Sequence, residues 1–204
     1  MFTGIVQGKA RVVELQRHPQ FMQLSLELPP ERADQLQQGA SIAVNGTCLT
    51  VTGFEGNRVQ FDLIQETLRA TNLKELSVGD EVNFERAARF GDEIGGHLLS
   101  GHVHATVEIV EIETSEHNCI LSFALPATLQ KYILPKGFVA LNGCSLTIGE
   151  VRHGRFNVYL IPETLAVTRF GSARVGERIN LEVDPQTQAV VDTVERYLSI
   201  QQQD

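Results

Sequence analysis

The chain has 204 residues, room for one large domain or two small ones, and its 42% hydrophobic and 21% charged residues belong to a globular chain rather than a disordered one. Lys and Arg number 17 against 25 Asp and Glu, and the net charge of −8 disfavours nucleic-acid backbones and anionic membranes as partners. No apolar stretch approaches the ~20 residues that a membrane-spanning helix needs.

The opening Met1-Phe2-Thr3-Gly4-Ile5-Val6 lacks a basic segment followed by an apolar core, so no signal peptide is expected. Met22, Leu24, Leu26 and Leu28 alternate with Gln23, Ser25 and Glu27, the period of a half-buried strand. A short helix is expected from Pro30 towards Gln38, ended by Gly39. Val44 to Thr50 follows, then a polar turn at Glu55-Gly56-Asn57 and a strand through Val59, Phe61 and Leu63. Beyond Ser100 the succession returns. Val103, Ala105, Val107 and Ile109 alternate, as do Cys119, Leu121, Phe123 and Leu125. A twin helix is expected from Pro126 to about Leu134, and a turn at His153-Gly154 precedes Phe156, Val158 and Leu160. Ile179, Leu181 and Val183 close the second round.

The return has a constant offset of 97 residues. Val44-Asn45-Gly46-Thr47-Cys48-Leu49-Thr50 falls on Leu141-Asn142-Gly143-Cys144-Ser145-Leu146-Thr147, and Leu63-Ile64-Gln65-Glu66-Thr67-Leu68 falls on Leu160-Ile161-Pro162-Glu163-Thr164-Leu165. Asn83-Phe84-Glu85 meets Asn180-Leu181-Glu182. The chain is a tandem duplication of one small all-β unit with about six strands per copy, a pattern that favours a closed barrel or a sandwich. Only the tail breaks the repeat. From Thr187 to Ile200 it lacks Gly and Pro and places Val191, Val194 and Leu198 at helical spacing, fitting an amphipathic helix that covers its own barrel or meets another copy.

A duplicated binding unit holds either two similar ligands or one ligand between its halves. The copies share Asn45/Asn142, Thr50/Thr147, Glu66/Glu163 and Thr67/Thr164. They differ at Cys48/Ser145, Ile5/His102, Ser41/Phe138, Asp62/Tyr159 and Gly39/Lys136, so one copy offers a thiol where the other offers a hydroxyl. Like molecules in chemically unlike sites would suit a reaction between identical substrates. Plainer readings stand beside these: Asn-Gly turns, a buried thiol at Cys48, strand propensity at the threonines, and helix caps at Glu66-Thr67 and Glu163-Thr164. His102 and His104 share a strand face but lack further ligands at metal spacing, so no metal is expected. Cys48, Cys119 and Cys144 form no C-x-x-C pair, which points to free thiols in a reducing cytoplasm. Phosphate-binding glycine loops are absent.

The segments MFTGIV, NGTCLTV, ERAARFGDEIGGHLLSGHV, KYILPKGFVALNGCSLT, LIPETL and VDPQTQAVVDTVER together resemble the riboflavin synthase family of the alpha type, from Met1 to about Leu198. The resemblance implies two six-stranded Greek-key barrels, over 1–97 and 98–186, and a C-terminal helix over 187–204 that joins a homotrimer. It implies dismutation of two 6,7-dimethyl-8-ribityllumazine molecules by four-carbon transfer, without metal or organic cofactor, between barrels of neighbouring subunits. Carried over by position, His102 is the expected proton-transfer group, suited to it by an imidazole that titrates near neutrality. Cys48 becomes a nucleophile or polar contact, and Ser41, Ser145 and Asn142 complete the catalytic set. The implied lining of the first copy is Gly4, Ile5 and Val6 with Cys48, Leu49 and Thr50, then Asp62, Leu63, Ile64, Gln65, Glu66 and Thr67. That of the second is Gly101, His102 and Val103 with Lys136, Ser145, Leu146 and Thr147, then Tyr159, Leu160, Ile161, Pro162, Glu163 and Thr164.

One residue departs from the pattern. The family's second barrel carries D-G-x-S-L-T, and here Asn142 stands at the acidic position, where it hydrogen-bonds but takes no proton as a carboxylate does. Asn142→Asp is therefore expected to raise turnover or leave it unchanged. A carrier resembling the lumazine proteins of luminous bacteria is the rival reading; Cys48, His97 and His102 weigh against it, and a barrel scaffold with a vestigial site is the third.

Overall fold

The alternating segments of each copy close into a barrel of six antiparallel strands in this computed structural model, which describes residues 1–116 and 118–202. The first barrel contains β1 (Gly8–His18), β2 (Phe21–Glu27), β3 (Ser41–Val44), β4 (Thr47–Glu55), β5 (Arg58–Ile64) and β6 (Glu81–Arg86). The second contains β7 (Ala105–Thr114), β8 (Cys119–Ala124), β9 (Phe138–Leu141), β10 (Cys144–Arg152), β11 (Arg155–Leu160) and β12 (Arg178–Val183). Strand order is β1-β2-β5-β4-β3-β6, and its counterpart β7-β8-β11-β10-β9-β12, a Greek-key succession in both. Closure gives every strand a neighbour on both sides.

Inward positions fill each barrel. Val12, Leu24, Leu26, Phe61 and Phe84 pack in the first; Ile109, Leu121, Phe123, Phe156 and Leu181 pack in the second, with the Phe123 and Phe156 rings stacked 5.3 Å apart. Burying each such side chain contributes roughly 1.5–3 kcal/mol. The last strand of each barrel breaks the alternation of burial. Val82 and Phe84 on β6 face the core, yet Asn83 and Glu85 on its outer face are buried too, Asn83 against the other barrel and Glu85 beneath the leading segment at Thr3 and Gly4. Asn180 and Glu182 on β12 repeat this.

The joint between the barrels is polar and follows the 97-residue repeat. Asn83 Nδ2 donates to the Asn142 carbonyl at 3.0 Å, and Asn180 Nδ2 donates to the Asn45 carbonyl at 2.8 Å. Asn45 and Asn142 both adopt φ of 45°, and Gly46 and Gly143 stand so close that a Cβ on Gly46 would lie 2.6 Å from the Gly143 nitrogen. The Asn-Gly pairs are turns, and the same turns weld the two copies together.

The two helices expected between strands are shorter than the sequence suggests, and two others appear. The predicted helix from Pro30 to Gln38 is only α1 (Pro30–Ala33): Gln35 turns to φ of 54°, and Leu36 drops into the core. Arg86 then collects the carbonyls of Arg32, Asp34 and Gln35. Its twin is a 3-10 turn, Ala127–Tyr132, whose three-residue period buries Leu129 and Tyr132 together. Between the strands lie α2 (Gln65–Ala70) and α3 (Pro162–Val167).

The tail helix α4 (Pro185–Gln201) begins before Thr187, because the Asp184 carboxylate accepts from the amides of Gln186 and Thr187 and Pro185 fits the first turn. Residues 203 and 204 of the expected tail lie outside the described residues. One face of α4 is tied to the second barrel by Val191, by Tyr132 to Asp192 and by Lys131 to Glu195. Val190, Val194, Tyr197 and Leu198 on the rest of the helix are each at least half exposed.

Candidate functional site

Strands β4 and β5 are neighbours that part company. Their ladder runs from Glu55↔Arg58 to Val51↔Phe61 and stops, although β4 reaches back to Thr47 and β5 forward to Ile64. The same split opens between β10 and β11 beyond Ile148↔Val158. Each split is a slot in a barrel wall, and the other copy supplies its upper edge. Cys48 N–H donates to the Gly101 carbonyl at 2.9 Å, and Ser145 N–H donates to the Gly4 carbonyl at 2.8 Å. The Val51 and Ile148 backbones bond towards β3 and β9, through Ala40 and Gly137. Antiparallel alternation therefore turns the N–H and C=O of Thr50 and Thr147 into the slots.

Contact at the upper edges is close. A Cβ on Gly101 would sit 2.6 Å from Cys48 Cβ, and one on Gly4 would sit 2.5 Å from Ser145 Cβ. Both glycines also have positive φ, 81° and 76°. Only glycine lets the crossing segment lie this near the strand in that conformation.

The predicted site residues divide by strand parity. Cys48 and Thr50 on β4, Ser41 opposite Thr50 on β3, and Asp62 and Ile64 on β5 all face outward around the first slot. Ser145, Thr147, Tyr159 and Ile161 do so around the second. Four expected lining side chains do not. Leu49, Leu63, Leu146 and Leu160 are buried in the barrel cores, since a contiguous run on a strand cannot present both faces. Val6, also expected in the lining, is buried in the second core, and Gly4 edges the second slot with Ile5 next to it in the chain. Reciprocally, Gly101 edges the first slot, and His102 and Val103 follow it in the chain. Glu66-Thr67 and Glu163-Thr164 open α2 and α3 without capping them; Thr71 and Thr168 do the capping, at the turns that follow. Gln65 and Pro162 are exposed on the first turns of those helices, and Glu66 is drawn into an ion pair with Arg69.

Asn142 stands apart from the slot wall. It is buried in the inter-barrel joint, where its Oδ1 accepts from Asn180 N–H at 2.9 Å and Asn72 Nδ2 at 3.1 Å. His102 is exposed beside the first slot, its N–H donated to Ser100 Oγ at 3.1 Å. His104 does not pair with it as on a strand: both precede β7, and His104 contacts Gln188 and the Val183 amide.

The second slot has a residue that position-by-position comparison of the copies misses. His97 is 7% exposed, stacks on Phe138 at 5.1 Å, and brings Nδ1 to 2.7 Å from Ser145 Oγ. Burial holds its pKa below the ordinary imidazole value against the opposing charge of Asp184, so the ring is neutral at neutral pH. Among the described residues Nε2 has no partner. Beside it lies an apolar cavity of about 550 Å³, lined by Met1, Ile94, Leu98 and Phe138. The repeat could not point to His97, because its partner 97 positions later is Val194, in the tail where the repeat has broken off. Lys136 adds a further asymmetry: it holds φ of 67° where its twin is Gly39.

The chain matches the lumazine-binding domain twice, over residues 3–87 and 100–184. It is 57% identical over 200 residues to the riboflavin synthase of Escherichia coli (strain K12), covering 98% of this chain and 94% of that protein. The chain belongs to the riboflavin synthase family. The family member of Chlamydia pneumoniae is 42% identical over 199 residues, with 98% of both chains covered. Among solved structures, LumP complexed with riboflavin superposes with a TM-score of 0.84 at 26% identity, over 90% of this chain and 99% of that one. LumP complexed with 6,7-dimethyl-8-(1'-D-ribityl) lumazine gives 0.82 at the same identity and coverage. The slots of this family member are thus two copies of one wall with different side chains, a thiol and an exposed imidazole in the first, a hydroxyl on a buried imidazole in the second.

Proposed function

We propose that the chain catalyses dismutation of two 6,7-dimethyl-8-ribityllumazine molecules into riboflavin and 5-amino-6-(ribitylamino)pyrimidinedione. The observation that carries this reading is the pair of slots with one backbone and two chemistries. The products together hold every atom of the two substrates, so four carbons move without an external oxidant, reductant or cofactor. One lumazine, the acceptor, loses a proton from its 7-methyl group, and the carbanion is delocalised into the ring. The other, the donor, is opened by a nucleophile at its ring.

In this reading His102 moves the proton and Cys48 supplies the nucleophile or a polar contact to the ring. Ser41 and Ser145 hydrogen-bond the two rings, and the turned-in backbones of Thr50 and Thr147 bind pyrimidine edges. Asp62, Thr67 and Thr164 meet ribityl hydroxyls. Asn142 acts on the slots through the joint. Holding both rings stacked replaces a bimolecular encounter with a near-intramolecular one. Exposed Ile5, Ile64, Tyr159 and Ile161 around the slots support a second protomer as the missing wall. The active unit is then a homotrimer with units at 1–97, 98–186 and 187–204, joined through the uncovered face of α4. Three free thiols fit a cytoplasmic location.

Mixing the purified protein with 6,7-dimethyl-8-ribityllumazine should produce flavin absorbance together with the pyrimidinedione in equal amounts. A shift of the lumazine spectrum without new product would favour a carrier and sink the enzymatic reading. Removal of α4 should dissociate the oligomer in sedimentation velocity.

A further inference from the structure

Glu182 lies on the outer face of β12 and is 3% exposed. Its Oε1 accepts the Ser100 N–H at 2.8 Å and the Ser100 Oγ–H at 2.7 Å, while Oε2 accepts the Gly101 N–H at 3.1 Å. The same Ser100 hydroxyl oxygen accepts the His102 N–H at 3.1 Å. The Gly101 carbonyl accepts the Cys48 N–H at 2.9 Å. One buried carboxylate therefore holds, through two residues, both the segment that carries His102 and its junction with the strand that carries Cys48.

We propose that Glu182 is a positioning residue of the first slot: it fixes His102 against Cys48 in the geometry that proton transfer requires. This rests on the reading of His102 and Cys48 in the reaction above. A carboxylate suits the task because it only accepts, and three donors converge on it. Burial of the carboxylate keeps water from competing for those bonds.

The fold supplies the control. Glu85, also 3% exposed, accepts the Thr3 N–H at 2.6 Å, the Thr3 Oγ1–H at 2.8 Å and the Gly4 N–H at 3.1 Å. Thr3 Oγ1 then accepts the Ile5 N–H at 3.3 Å, and the Gly4 carbonyl meets Ser145. The two clamps are alike bond for bond and differ in what they deliver. Glu182 orders the segment in which His102 follows the glycine bonded to Cys48, whereas Glu85 orders the segment in which Ile5 follows the glycine bonded to Ser145. Replacing either by glutamine sets an NH2 donor against a glycine N–H or a Ser/Thr donor, the same local damage in two places.

The test compares E182Q and E85Q in the full-length protein, reading kcat and KM for 6,7-dimethyl-8-ribityllumazine together with thermal stability. With similar losses of Tm, E182Q should lower kcat ~30-fold with KM within ~3-fold, and E85Q should lower kcat at least ~10-fold less. Equal kcat losses would reduce both glutamates to scaffolding and overturn the proposal. Should E182Q fail to fold, S100A and T3A remove the linking hydroxyls alone, and kcat must fall further in S100A. A wild-type protein without turnover would instead defeat the reaction. The clamp would then be read from the His102 imidazole resonances, which should move in E182Q and stay in E85Q; resonances unmoved in both would overturn it.

Discussion

The two slots share a backbone and differ in their chemistry. Their upper edges close with hydrogen bonds of 2.9 and 2.8 Å, on glycines at φ of 81° and 76°, beside turns at an identical 45°. Against that constancy stand a few substitutions: Cys48 for Ser145, His102 for Ile5, Ser41 for Phe138, Asp62 for Tyr159. His97 falls on Val194 of the tail helix, where the likeness of the copies has ended. The difference teaches where a duplicated fold can diverge. Backbone that closes a barrel or welds the joint is constrained by every hydrogen bond it makes, whereas outward side chains on a slot wall have no core to satisfy. Function separates the halves at the positions that folding leaves free.

The deepest break in the comparison is at His102. His102→Gln should lower kcat by about 100-fold while lumazine affinity changes little, the size expected for losing a positioned acid–base group. Cys48→Ser gives the first slot the second slot's hydroxyl and should cost about 10-fold in kcat. Normal turnover in both variants would show that the chemical asymmetry is incidental. The geometric likeness is tested by Gly101→Ala and Gly4→Ala. Each forces a Cβ against its neighbour in a left-handed conformation, so both should lose roughly 2–3 kcal/mol in denaturant unfolding, by closely matching amounts. A large inequality would mean that the two crossings are not equivalent.

A smaller effect belongs to the second slot alone. Because burial lowers the His97 pKa, the unfolded chain binds more protons than the folded one below the unfolded value of about 6.5. The stability from burying neutral His97 is complete above that pH and is lost as pH falls through the window beneath it. Melting curves between pH 7 and pH 5 should therefore fall less steeply for His97→Gln than for the wild type. The difference is bounded by about 1.4 kcal/mol per pH unit. Parallel curves would show that the imidazole is not held neutral by its surroundings.

Repeat and alternation made the barrels legible, because a closed antiparallel barrel writes its inner face as every second residue. The outward half of the site was legible for the same reason, and Cys48, Thr50, Ser145 and Thr147 fall on one wall each. A contiguous segment carries both faces of its strand, so the side chains of Leu49, Leu63, Leu146 and Leu160 turn inward and only their backbone can meet the slots. The exchange of leading segments left no trace in either copy, since nothing local in Gly4-Ile5-Val6 says which barrel it will edge. Glu85 and Glu182 did leave one: both stand in the repeated Asn-x-Glu of a strand whose two faces are buried. A polar residue retained in both copies among apolar neighbours marks a face covered by something other than solvent. The apparent helices after Pro29 and Pro126 failed because burial of Leu36, and of Leu129 with Tyr132, overrode local propensity.

The smallest expected effect is that of Asn142→Asp, and its twin in the joint gives the contrast. Asn142 uses Oδ1 alone to accept from Asn180 and Asn72, and a carboxylate oxygen accepts the same two bonds. Asn45 accepts from the Asn83 N–H but also donates Nδ2 to Asn72 Oδ1 at 3.4 Å. Asparagine-to-aspartate is thus a conservative change in one copy and sets two acceptors face to face in the other. Asn142→Asp should leave the denaturant midpoint nearly unchanged, and turnover unchanged or raised, whereas Asn45→Asp should cost about 1–3 kcal/mol. A large loss of turnover on Asn142→Asp would mean that the second copy is tuned to a neutral side chain at its turn. The joint would then belong to the chemistry that distinguishes the slots, and not to the frame they share.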